Sequence, residues 1–206
     1  NSGAQAIENK SVDFKHFGFE QVWVLAASIG GPEAVQKFLA QFDGNDKILF
    51  IIVQHMDKEF LPMMQQQFNQ ESRFDVVMPI SGMEVADLRC IIHPVDEYVK
   101  VSNKGIVDLL PLTEVFTFSP CIDECCKKLA DNIKDLNIAV FSGMSTDGIA
   151  GALTIKEKGG TVITQSEESC VLSSIIQGVK KKIPVDFSGN PVELADYIKK
   201  LKNEVN

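Results

Sequence analysis

Three side chains capable of acyl-transfer chemistry stand just beyond apolar runs in this 206-residue chain. Ser28 follows VWVLAA and is succeeded by Ile29-Gly30-Gly31-Pro32; His55 follows ILFIIVQ; Asp147 lies in Ser142-Gly143-Met144-Ser145-Thr146-Asp147-Gly148, after IAVF. A serine hydroxyl, an imidazole and a carboxylate are the nucleophile, base and orienting acid of a serine hydrolase, a set defined by geometry rather than chain order. The order here, Ser then His then Asp, differs from that of α/β-hydrolases, and no G-x-S-x-G elbow is present. Each residue also has a plainer role open to it. Ser28 can cap a helix or line a turn, His55 can be a satisfied polar residue, and Asp147 can cap the helix that begins near Ile149. A phosphate loop at 28–31 would need a P-loop lysine or the full dinucleotide glycine pattern, and both are missing.

The spacing of apolar residues supplies the elements that would bring these groups together. Continuous apolar runs at 22–27, 48–53, 138–141 and 161–164 read as buried strands. They alternate with helical patterns at about 32–42, 60–69, 122–132, 149–158, 171–181 and 191–203. This alternation predicts an α/β fold: a doubly wound, mainly parallel sheet with helices on both faces. Short runs at 74–77, 90–92, 98–101 and 106–110, with turns such as Ser102-Asn103-Lys104-Gly105, read as an inserted antiparallel β-hairpin region. Sites in such sheets gather at the carboxyl ends of the strands, where Ser28, His55 and Asp147 are expected. Of the three histidines, His16 lies in residues 1–20, which read as a linker or tail, and His93 reads as a turn residue. Residues 21–206 form the expected catalytic domain.

Composition narrows the function. The chain is 45% hydrophobic and 23% charged, ordinary for a globular protein. Its net charge of −8 argues against a nucleic-acid partner, which needs a basic face for phosphates. No apolar run reaches membrane-spanning length, so no membrane insertion is expected. The chain starts without Met and without a signal segment, which predicts a cytoplasmic piece of something longer. Five cysteines without framework spacing predict free thiols; Cys121, Cys125 and Cys126 share a predicted helix and lack a second paired cluster. Neither a metal nor a cofactor is expected.

Four colinear motifs carry a family resemblance over residues 22–200. Ala26-Ala27-Ser28-Ile29-Gly30-Gly31-Pro32-Glu33-Ala34 resembles the A-S-T-G-G-x-E-A motif of CheB-type chemotaxis methylesterase catalytic domains. Val53-Gln54-His55-Met56 resembles V-Q-H-M, and the segment from Phe141 to Gly151 resembles T-G-M-G-x-D-G-x-x-G. Gln165-Ser166-Glu167-Glu168-Ser169-Cys170-Val171 is similar to Q-x-E-x-S-C-V. The resemblance implies Ser28 as nucleophile, His55 as base and Asp147 as orienting acid, with the Met144 backbone amide on the oxyanion and Gly30 and Gly31 beside the substrate. It implies removal of methyl groups from glutamate γ-methyl esters on chemoreceptor helices, with deamidation of receptor glutamines as a related activity. An amino-terminal receiver domain is a further partner in this family. Two departures stand out. Ile29 replaces a threonine, and Thr117-Phe118-Ser119-Pro120-Cys121-Ile122-Asp123 replaces R-H-R-P-S-V-D, in a chain whose only arginines are Arg73 and Arg89. They suggest a divergent branch, as in a pilus-type chemosensory system, and leave open a catalytically weakened receptor-binding or scaffolding module. A nucleotide-binding α/β domain is a third alternative.

Overall fold

The runs that are apolar throughout become the interior strands of one parallel sheet. A computed structural model describes residues 11–203. Along the chain, β1 (Gln21–Ala27) leads to helix α1 (Gly31–Leu39), and β2 (Ile48–Gln54) to α2 (Leu61–Glu71). Two short strands follow, β3 (Val76–Val77) and β4 (Cys90–Ile92), then a hairpin of β5 (Glu97–Val101) and β6 (Val107–Pro111). Helix α3 (Ile122–Asn132), β7 (Leu136–Val140), α4 (Ile149–Glu157), β8 (Val162–Gln165), α5 (Ser174–Lys182), β9 (Phe187–Gly189) and α6 (Pro191–Asn203) complete the order. The seven-stranded sheet runs β3-β4-β2-β1-β7-β8-β9, and the hairpin forms a separate two-stranded sheet.

Side chains alternate across β1 and feed two cores. Trp23, Leu25 and Ala27 face a layer made with α1, α2 and α6, whereas Val22, Val24 and Ala26 face α3, α4, α5 and the hairpin. Both faces are covered, which is why β1 and β2 are apolar on both sides rather than alternating. Beneath α1, Phe38 packs against Phe50 of β2 and against Phe141 just past β7, with ring centroids 5.5 and 5.4 Å apart. Through Phe38, one helix is packed against β2 and against the end of β7, the strands on either side of β1. The chain leaves β1 for α1 on one face and leaves β7 for α4 on the other. A crevice therefore opens between those two strand ends, the usual switch point of a doubly wound sheet.

The short middle segments differ from expectation. Only β5 and β6 pair as a hairpin; β3 and β4 join the main sheet in parallel, β4 beside β2. Strand β9, carried by Phe187-Ser188-Gly189, was not anticipated and extends the other edge by pairing with β8. The expected tail is also more than a tail. Residues 1–10, with their part of that expectation, lie outside the described residues, but Val12, Phe14 and Phe19 are buried in the core beside α3 and β1. Val12 bridges to Ile133, and His16 sits in a 3-10 turn over Phe14–Phe17.

His93, expected as a turn residue, is buried just past the end of β4. It is 1% exposed and its Nδ1 donates to the Pro94 carbonyl at 2.8 Å. Burial pushes its pKa down from 6.5 to about 4, the Pro94 hydrogen bond pulling weakly the other way. The unfolded chain therefore binds a proton at pH values where the folded chain does not. The folded state loses stability as pH falls from 6.5 towards 4, by on the order of 3 kcal/mol. Urea unfolding across that range should show this slope in the wild type and a flatter one in His93→Gln.

Candidate active site

Three strand ends meet at the crevice, and the backbone ties them together before any side chain does. The Ser28 amide donates to the Ser142 carbonyl at 3.1 Å, joining the end of β1 to the loop after β7. The His55 amide donates to the Ala27 carbonyl at 3.0 Å, joining the end of β2 to β1. Gln54, buried directly opposite Ala27 in the β1–β2 register, uses its side-chain amide to reach the carbonyls of Ser28 at 3.0 Å and His55 at 3.1 Å. One amide thus braces the turns that carry the hydroxyl and the imidazole.

The chain turns sharply after Ser28. Gly30 has φ +78°, a left-handed conformation, and caps α1 without a side-chain hydrogen bond. A Cβ there would stand 2.6 Å from the Val171 Cβ. The Gly31 amide closes the turn on the Ser28 carbonyl at 2.9 Å, so it is committed to the turn and not presented to a ligand. Gly143 allows the facing loop to approach equally closely, since a Cβ on it would lie 2.8 Å from the Ser28 Cβ.

Ser28, His55 and Asp147 come together as a hydrogen-bonded chain. His55 Nδ1 lies 3.2 Å from Ser28 Oγ, and Nε2 lies 2.7 Å from Asp147 Oδ2. An ionised carboxylate only accepts, so the proton on the ring belongs on Nε2, leaving the Nδ1 lone pair directed at the serine hydroxyl. The two ring nitrogens are used in the opposite sense to the serine-protease template. Phe118 stacks on the imidazole with centroids 5.1 Å apart and planes 11° from parallel, limiting its rotation. This pairing of a hydroxyl with an oriented imidazole is suited to general-base activation of Ser28.

Asp147 does not cap the helix that follows it; Gly148 holds that position. The Asp147 carboxylate crosses instead to the start of α3. There Oδ2 accepts from the Ile122 amide at 2.7 Å and Oδ1 from the Asp123 amide at 2.8 Å, with Cys121 Sγ 3.5 Å away. Burial pushes the carboxyl up, but the hydrogen bonds from His55 and from the two amides outweigh it and hold the group below the ordinary aspartate value. Burial pushes the Cys121 thiol up to about 11, keeping it protonated beside this carboxylate.

The loop from Ser142 to Gly148 is fixed by groups that sequence reasoning had not singled out. The Ser142 amide donates to the buried Gln165 side chain at 2.9 Å, and Ser142 Oγ lies 2.8 Å from the Ile29 carbonyl. Gln165 in turn donates to the Ser169 carbonyl at 2.8 Å, and the Gly143 amide to Leu172 at 2.9 Å. These bonds gather the segments around residues 29, 143 and 165–172 beside Ser28. Gln54 and Gln165 had a signal in the sequence, each being a polar residue ending an otherwise apolar strand. Met144, at the tip of the loop, has its side chain exposed. Its amide donates to no acceptor among the described residues. No cluster of metal-ligating side chains occurs among the described residues.

Comparison with known proteins places the chain in a family and matches its fold. Residues 23–198 match the family model described as CheB methylesterase. A protein-glutamate methylesterase/protein-glutamine glutaminase of Pseudomonas putida is 28% identical over 76% of this chain and 42% of its own length. One from Pseudomonas syringae pv. syringae is 28% identical over 84% of this chain and 43% of its own. The chain therefore spans less than half the length of these curated relatives. The crystal structure of the Thermotoga maritima CheB methylesterase catalytic domain shares the fold. It has a TM-score of 0.79 and 24% identity, covering 88% of this chain and 98% of that one.

The turn after Ser28 makes a quantitative expectation. Gly18 and Gly30 both have left-handed backbones, but a Cβ on Gly18 meets nothing within 4 Å. Gly18→Ala should cost about 1 kcal/mol of backbone strain, and Gly30→Ala at least that plus the clash with Val171, about 2–3 kcal/mol in all. Urea denaturation of the two variants measures the difference.

Proposed function

Because the chain belongs to the CheB methylesterase family, we propose that it hydrolyses glutamate γ-methyl esters on chemoreceptor helices in the cytoplasm, with Ser28, His55 and Asp147 as the catalytic groups. The observation that carries this reading is the single imidazole bridging the Ser28 hydroxyl at 3.2 Å and the Asp147 carboxylate at 2.7 Å. His55 Nδ1 takes the hydroxyl proton as Ser28 Oγ attacks the γ-carbonyl carbon. The charge that develops on the ring is balanced by Asp147. The tetrahedral oxyanion is met by the Met144 amide, on the loop that Gly143 brings against Ser28. Collapse expels the methoxy group, which takes the proton from His55 and leaves as methanol. Water, deprotonated by the same nitrogen, then attacks the acyl-enzyme, frees the glutamate carboxylate and restores Ser28. An amide at the same carbon would release ammonia by the same steps, and the relatives' names, which include glutaminase, support deamidation as a second activity.

The rim of the crevice suggests how this branch meets its substrate. Ile29, Phe118, Met144 and Val171 are exposed apolar side chains carried by the segments that surround Ser28. Arg73 lies between α2 and β3, and Arg89 immediately precedes β4, so both belong to the opposite, amino-terminal edge of the sheet. The side chain of Arg89 is spent there on the carbonyls of Gly44, Ala86 and Leu88. A receptor helix is thus gripped through apolar side chains beside the ester, not through arginine contacts to flanking acids. A receiver domain fused ahead of residue 1 fits the greater length of the relatives.

Methanol release from a synthetic helical peptide carrying a glutamate γ-methyl ester tests the reading. The wild type should turn over, and Ser28→Ala should lose about a thousandfold or more in kcat while unfolding at the same urea concentration. Undiminished turnover by Ser28→Ala would remove Ser28 from the reaction.

A further inference from the structure

Two carboxylates exchange helix ends next to the crevice. Asp147, just ahead of α4, accepts the amides of Ile122 and Asp123 at the start of α3. Asp123, in the first turn of α3, accepts the amides of Gly148 at 2.8 Å and Gly151 at 2.6 Å at the start of α4, both on Oδ1. Each carboxylate thus satisfies two backbone amides at the start of the facing helix. The two helix starts are also in close contact. A Cβ on Gly151 would lie 2.7 Å from the Cys126 Cβ and 3.1 Å from the Asp123 Cα.

The exchange bears on the reacting groups because of what it holds at either end. Gly148 follows Asp147 directly and has φ +112°, so the Asp123 bond fixes the peptide that sets the direction of the Asp147 side chain. The same short loop carries Met144. The Asp147 amide is held separately by Ser145 Oγ at 2.8 Å, which stiffens the loop but does not tie it to α3. The Asp147 carboxylate makes one tie to α3, and the Asp123 side chain adds a second, on the backbone that follows Asp147.

We propose that Asp123 is a positioning residue for the reaction: by holding the Gly148 and Gly151 amides it keeps Asp147 against His55 Nε2 and the Met144 amide beside Ser28. It acts as a hydrogen-bond acceptor, touches no reacting atom, and does not work through its charge. A neutral acceptor of the same shape therefore suffices, and removal of the acceptor misplaces Asp147 by up to about 1 Å, enough to cost about tenfold to a hundredfold in rate. The proposal rests on the esterase reading for its kinetic consequence, but not for its structural one.

The test uses Asp123→Ala and Asp123→Asn in the full chain, with kcat and KM from methanol release. Alongside, the downfield proton resonance of the His55–Asp147 hydrogen bond is followed by NMR at low temperature. Asp123→Ala should lower kcat about tenfold to a hundredfold with KM changed less than about twofold, and should shift or broaden the resonance. Asp123→Asn should keep kcat within about threefold of wild type and leave the resonance in place. Wild-type kcat and an unmoved resonance in Asp123→Ala would overturn the proposal. So would equal losses in both variants with the resonance unmoved, because the effect would then be one of charge or general stability. A wild type inactive on the ester, whose resonance still responds to Asp123→Ala and not to Asp123→Asn, would refute the esterase reading and leave the positioning role standing.

Discussion

A carboxylate only 4% exposed must find donors for both oxygens, and the way Asp147 finds them organises the crevice. It draws the first amides of α3 to one side and the His55 ring to the other, so a single buried charge joins a helix start, a loop and a strand end. Left without these partners, the charge would be costly enough to protonate or to turn towards water. The imidazole would then lose the acceptor that fixes its tautomer. Orientation of His55, and through it the polarity of Ser28, follows from the solvation of one aspartate.

The sheet makes that solvation possible. Parallel pairing of β2, β1 and β7 sets Ala27 opposite Gln54 and Ala26 opposite Val140, so the residues just past each strand emerge at one level. A slip of one residue in either pairing would turn His55 or the loop after β7 to the other face of the sheet. The Phe38 cluster beneath α1 and the side chains of Gln54 and Gln165 hold the level against such a slip. The rigid part of the molecule thus sits directly under the part proposed to react, and the exposed apolar rim lies above it.

Much of this was legible in the amino-acid sequence, for identifiable reasons. The runs that became β1, β2 and β7 are apolar on both faces, and only an interior strand of a covered sheet tolerates that pattern. Ser28, His55 and Asp147 could be picked out because each stands where such a run stops. What escaped was short or long-range. The runs that became β3 and β4 were read as strands, but at two and three residues they carry no pattern that says which sheet they join, and β9, three residues ending in a glycine, gave no signal. Val12 looked like part of a tail because its partners, Asn132 and Ile133 at the end of α3, lie more than a hundred residues away. Asp147 carries a good local capping signal, yet caps a helix that starts earlier in the chain. The Asp123 exchange has no local signature either. The departures at Ile29 and at residues 117–123 were visible at once. The fold gives one residue of the second departure a place, setting Phe118 flat on the imidazole, and nothing in it explains Ile29.

The central claim is that Ser28 is activated by His55 and Asp147 acting as one unit. Treatment of the folded chain with a fluorophosphonate, followed by proteolysis and peptide mass mapping, addresses it most directly. Adduct on Ser28 alone among the serines, formed in the wild type and lost when His55 is replaced by alanine, is the result expected. Adduct spread over surface serines, or equal adduct on Ser28 with and without His55, would contradict it.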